Sequence, residues 1–78
     1  MYLVELFERG KGTSFVARTD TREAAFHAAR EDASKRYSAN IEGDYASLAP
    51  RYDGAVFGYR VVGRKAWYTV YIAEVVEG

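Results

Sequence analysis

Residues 20–37 read DTREAAFHAAREDASKRY, the one stretch long and periodic enough for a full helix, and the remainder is laid out to pack against it. Asp20 followed three positions later by Glu23 matches the reciprocal N-terminal capping pattern. The Asp20 side chain would accept from first-turn amides, with Glu23 at the positive end of the helix dipole. Phe26, Ala29, Ala33 and Tyr37 recur at helical spacing, and Ala25 widens the stripe. A face made mostly of alanine lets the helix axis lie close to a sheet, with Phe26 and Tyr37 filling its two ends. The opposite face carries Glu23, His27, Arg30, Glu31, Ser34 and Lys35. Two pairs, Glu31 with Lys35 and Asp32 with Arg36, stand in the favourable i to i+4 order, and all of these residues are expected to face water.

Strand patterns flank the helix on both sides. Residues 2–8 alternate, with Tyr2, Val4 and Leu6 against Leu3, Glu5 and Phe7. The turn Arg9-Gly10-Lys11-Gly12 then leads to a second strand over 13–18, whose alternation sets Phe15 and Ala17 on one face and Val16 and Arg18 on the other. After the helix, residues 38–54 (SANIEGDYASLAPRYDG) are broken by Gly43, Pro50 and Gly54; a single helical turn over 44–48 is the most they allow. A connection this long in a small domain is more often functional than a tight turn is, and it carries Tyr45, Arg51 and Tyr52. Ile41 and Leu48 are expected to pin it to the body. Residues 55–62 and 66–76 are two further strands joined by Gly63-Arg64-Lys65, with a bulge or fraying expected near Glu74.

The order ββαββ predicts an α+β domain: a four-stranded antiparallel sheet with one helix packed on one face. Tyr2, Val4, Leu6, Phe15, Ala17, Phe57, Tyr59, Tyr68, Val70 and Ile72 are expected beneath the helix. Leu3, Glu5, Phe7, Val16, Arg18, Arg60, Trp67, Thr69 and Tyr71 are left on the open face, which is too apolar for a surface meant only for water.

Composition narrows the function. Seventy-eight residues make a single domain, 1–78, that buries roughly 60 to 65 per cent of its unfolded surface, too little for a deep catalytic cleft. Eleven basic residues balance eleven acidic ones, so no whole-molecule field draws in nucleic acid or an anionic membrane. The absence of cysteine removes disulfides, thiolate metal sites and thiol nucleophiles together. Residues 1–8 show neither a basic n-region nor an apolar run of signal length, and the expected location is the cytoplasm. Seven tyrosines, one tryptophan and four phenylalanines are more aromatic rings than one small core can enclose with every hydroxyl satisfied.

Motifs for chemistry are weak. His27 shares a helix face with Glu23 and Glu31, but a solvated charge ladder accounts for it better than a metal or acid-base site, because no wall would support the ligands. Gly10-Lys11-Gly12-Thr13 lacks the earlier glycine of a phosphate loop and precedes a strand instead of a helix. Asn40, Glu42 and Asp44 alternate like the start of a calcium loop, yet Tyr45 stands where that loop needs glycine. No serine has a plausible base beyond His27, which sits mid-helix, and the acidic residues show no obvious pair. The expectation is therefore a non-enzyme with no metal and no cofactor, binding another protein through Phe7, Arg18, Tyr45, Arg51, Tyr52, Arg60, Trp67, Thr69 and Tyr71. Tryptophan, tyrosine and arginine dominate such contacts because they join large area to a directed polar group.

In format, being short, free of cysteine, Tyr-rich and without a catalytic motif, the chain resembles small phage-encoded inhibitors such as the anti-CRISPR proteins. That resemblance implies a bacterial defence complex as the partner and steric occlusion as the mode of action; it carries over no residue, since these inhibitors share no motif. Two alternatives use the same face. One is single-stranded nucleic acid, with Phe7, Trp67 and Tyr71 stacking bases and Arg18, Arg60, Arg64 and Lys65 meeting phosphates. The other is a homodimeric structural or regulatory domain.

Overall fold

A computed structural model of the chain describes residues 1–43 and 55–72. Its order is β1 (Tyr2–Glu8), β2 (Gly12–Thr19), α1 (Arg22–Tyr37), β3 (Ile41–Glu42), β4 (Ala55–Val61) and β5 (Ala66–Ile72). The strands form one antiparallel sheet in the order β2-β1-β5-β4-β3, with the first and last strands side by side at its centre.

Five strands replace the four expected. The additional one, β3, is only two residues long: Ile41 and Glu42 pair with Val61 and Arg60, and the Val62 amide donates to the Asn40 carbonyl at 2.9 Å. Two residues show no periodicity, so only the neighbouring edge of β4 makes them a strand. Because α1 leaves one sheet edge at β2 and delivers the chain to the other at β3, it must cross the whole sheet. Sixteen helical residues span about 24 Å, against about 19 Å between the outer strands of a five-stranded sheet.

Alanine makes that crossing close. Ala25, Ala29 and Ala33 are fully buried over a floor of Val4, Leu6, Tyr59, Val61, Ala66, Tyr68 and Val70. Phe26 and Tyr37 are partly buried at the two ends of the stripe, as the spacing predicts, and Phe26 meets Tyr59 edge-on at 5.3 Å. The N-cap is Thr21 and not Asp20. Its hydroxyl accepts from the Ala24 amide at 3.1 Å, and the Thr19 hydroxyl donates to its carbonyl at 2.9 Å, which shifts the helix start by one residue. At the far end Ser38 takes a left-handed φ of 53°, a position usually held by glycine, while the Ala39 amide reaches back to the Ala33 carbonyl at 3.4 Å.

The alternation of β2 is broken. Val4 faces Ala17 but Glu5 faces Phe15, so Val16 is an extra residue, a β-bulge. The bulge sends Val16 to the helix side, where it packs on the core beside Ala17, and turns Phe15 onto the open side, where it is 62% exposed. Both residues were expected on the opposite faces. Ile72, expected beneath the helix, lies at the end of β5 and is 49% exposed. The expected elements within 44–54 and 73–78, including the pinning by Leu48 and the bulge near Glu74, lie outside the described residues. No helix among the described residues is long and apolar enough to cross a membrane.

Candidate functional site on the open sheet face

Antiparallel register places paired residues on the same side of the sheet, so the open face can be laid out row by row. One row runs Thr13, Phe7, Trp67, Arg60, Glu42 across all five strands. The next runs Phe15, Glu5, Thr69, Gly58, and the third starts Arg18, Leu3, Tyr71. In the first row Phe7 and Trp67 stack at 5.6 Å between centroids with their rings tilted by 30°, a geometry that adds about 0.5–1.5 kcal/mol to plain burial. Phe15 sits one strand and one row from Phe7, continuing the aromatic patch to the sheet edge.

Gly58 gives the face its relief. It offers no side chain opposite Thr69, and Thr69, set between Trp67 and Tyr71 on its own strand, is only 3% exposed. Thr69 is thus buried within the face and is not itself an exposed contact. Trp67, Tyr71, Phe7, Leu3 and Glu5 are partly buried, and Arg18, Arg60 and Phe15 are exposed. Among the described residues charge on the face is even: Arg18 and Arg60 against Glu5 and Glu42. Of the residues expected to bind, Phe7, Arg18, Arg60, Trp67, Thr69 and Tyr71 share this face, whereas Tyr45, Arg51 and Tyr52 lie outside the described residues. Phe15 and Glu42 are members that strand alternation did not place there. No sequence signal marks the bulge or the two-residue strand that brings them.

Arg64, expected to meet phosphates on this face, is drawn away from it. Its guanidinium stands 5.7 Å over the ring of Tyr37, on the helix side. Arg22 likewise lies 3.7 Å over Phe57, next to α1.

The helix side holds a buried polar cluster. Tyr68, fully buried, donates its hydroxyl to Asp32 Oδ2 at 2.5 Å, and Arg36 donates to the same oxygen from Nε at 3.0 Å and to Oδ1 from Nη2 at 3.4 Å. Asp32 thus does more than pair with Arg36 in water. Burial first, then the bond to Asp32, holds the Tyr68 phenol well above the ordinary tyrosine range. The Tyr37 hydroxyl is buried without a hydrogen-bond partner of good geometry; burial and then the nearby Glu8 carboxylate push its titration up to about 12. Across the outer face of α1, Lys35 holds Glu31 at 2.8 Å and keeps that carboxyl below its usual range. His27 is exposed, with its ring 5.8 Å from Phe26.

Comparison with known proteins returns no match: no family model, curated protein or solved structure is similar to the chain.

Proposed function

We propose that this protein is a protein-binding module without chemistry of its own, and that its contact surface is the open face of the sheet. The observation that carries the proposal is the first row with its neighbour, Phe7 and Trp67 stacked beside Arg60, and Phe15 turned outward by the bulge at Val16. Large aromatic area with arginine at its margin is what protein contacts select. The even charge, and the withdrawal of Arg64 to Tyr37, favour a protein partner over a phosphate backbone, whose recognition rests on an excess of cations. By its format the partner class is a bacterial defence complex, occluded sterically in the cytoplasm.

The test is capture from bacterial lysate by immobilised protein, repeated with Trp67→Ala and Arg60→Glu and with Lys35→Glu on the outer face of the helix. A partner retained by wild type and Lys35→Glu but weakened at least about tenfold by each face variant supports the proposal, since a central contact contributes roughly 2 kcal/mol or more. The same capture by all four proteins, or none by wild type at any salt concentration, overturns it. Quenching of Trp67 by single-stranded oligonucleotides at low salt would instead favour nucleic acid.

A further inference from the structure

We infer that two copies of the chain associate through the outer edge of β2, joining their sheets across a two-fold axis at Ser14. The inference shares Phe15 with the protein-binding proposal and goes beyond it.

The two sheet edges differ. Among the described residues, β3 ends the sheet with an edge two residues long, whereas β2 is eight residues long and is paired on one side only, with β1. Chains protect such an edge with proline, lysine, bulges or brevity. In β2 the bulge at Val16 guards the second half and Gly12, at a φ of 87°, leaves the strand conformation, but Thr13, Ser14 and Phe15 between them are regular, uncharged and exposed. A strand of this kind accepts another strand, and several observations make a second copy the occupant.

Symmetry comes first. The free regular stretch is centred near Ser14, and an antiparallel pair with one residue facing its own copy satisfies the hydrogen-bonding pattern whichever way that residue's backbone groups point. Thr13 of each copy then faces Phe15 of the other, and the two Phe15 residues lie on the diagonal, about 7 to 8 Å apart and within aromatic reach. The most exposed large apolar side chain among the described residues, at 62%, is thereby covered by its own image. Charge does not oppose the contact, because the formal net charge is zero and no field separates the copies. On the helix side, Glu31 and Lys35 neutralise each other at 2.8 Å near this edge. Because the axis is normal to the sheet, both open faces end on the same side. Phe15 of the second copy then extends the aromatic surface of the first.

The chain has no cysteine, so single cysteines report the geometry directly. Ser14→Cys sets its thiol opposite its own image on the helix side of the sheet; Ser34→Cys, exposed on α1, is the control. Sedimentation of wild type is followed from about 10 µM to about 1 mM, the range for a contact well below the roughly 1,600 Å² of a standard interface. The expected result is concentration-dependent dimer for wild type and monomer throughout for Phe15→Lys, with its circular dichroism unchanged. Disulfide dimer should form at least about tenfold faster for Ser14→Cys than for Ser34→Cys, as opposed Cβ atoms about 5 Å apart require. A wild type that stays monomeric at the highest concentration overturns the inference. So does a Ser14→Cys rate equal to the control, which is what association through the open faces would give. Capture by the Trp67 and Arg60 variants is untouched by either outcome.

Discussion

Tyr68 carries a polar bond that ties the helix to the middle of the sheet, and removing its hydroxyl isolates that bond. The phenol is fully buried, and its acceptor Asp32 is a carboxylate 23% exposed and already held by Arg36. A hydrogen bond to a charged acceptor is worth roughly 1.5–3 kcal/mol. In Tyr68→Phe the carboxylate keeps Arg36 and gains water, which places the loss in the lower half of that range, about 1.5–2 kcal/mol. At about 4–8 °C per kcal/mol for a domain of this size, the midpoint of thermal unfolding falls by roughly 6–16 °C. Because Asp32→Asn also disturbs Arg36, the informative quantity is the coupling in a double-mutant cycle of Tyr68→Phe with Asp32→Asn, followed by urea unfolding and far-ultraviolet circular dichroism. A coupling of about 1–2 kcal/mol is expected. A coupling below about 0.3 kcal/mol would mean that phenol and carboxylate act independently, and the packing of α1 over β5 would have to be redrawn.

Other predictions follow from the same geometry. Val16→Lys should cost about 1–2 kcal/mol because the bulge turns Val16 beneath the helix, whereas Phe15→Thr should cost under about 0.5 kcal/mol; urea midpoints check the order, which plain alternation would reverse. Ser38→Gly should stabilise by roughly 0.5–1 kcal/mol, since glycine takes the left-handed cap without a Cβ penalty, and thermal unfolding reads the gain. Both Tyr37 and Tyr68 titrate higher in the folded chain than the ordinary 10.0, Tyr37 at about 12. The unfolded chain therefore loses these protons first, so stability is complete below about pH 10 and declines as pH rises toward 12 and beyond. Urea midpoints taken across that window should fall for wild type and flatten in Tyr37→Phe with Tyr68→Phe.

Helix, strands and their order were legible because each rests on local chemistry. The alanine stripe at Ala25, Ala29 and Ala33 needs only the helical period to be found, and the alternation of β1 and β5 needs only the pleat. Six of the nine expected contact residues share one face for the same reason: alternation carries Phe7, Arg18, Arg60, Trp67, Thr69 and Tyr71 to the side that a single helix leaves uncovered. Local chemistry also failed in definite places. Asp20 and Thr21 are both competent caps, and which one closes the helix depends on where the end of β2 delivers the chain, with Thr19 bonded to the Thr21 carbonyl. Thr69 has the alternation of an open-face residue and the burial of a core one, beside Gly58 across the strand.

What tertiary contact alone decided is register. An antiparallel strand is indifferent to a one-residue insertion until its partner is present, and only the pairing with β1 shows that Val16 is the extra residue, exchanging the faces of Val16 and Phe15. Ile41 and Glu42 become a strand only because β4 offers them an edge. Asp32, placed by helical spacing as half of a surface ion pair, becomes the anchor of a buried tyrosine because an alanine-lined helix comes close enough to the sheet for the hydroxyl of Tyr68 to reach it. Propensity and period act within a few residues and are written in the chain, whereas register, edges and buried polar bonds arise between segments far apart in it and exist only once those segments have met.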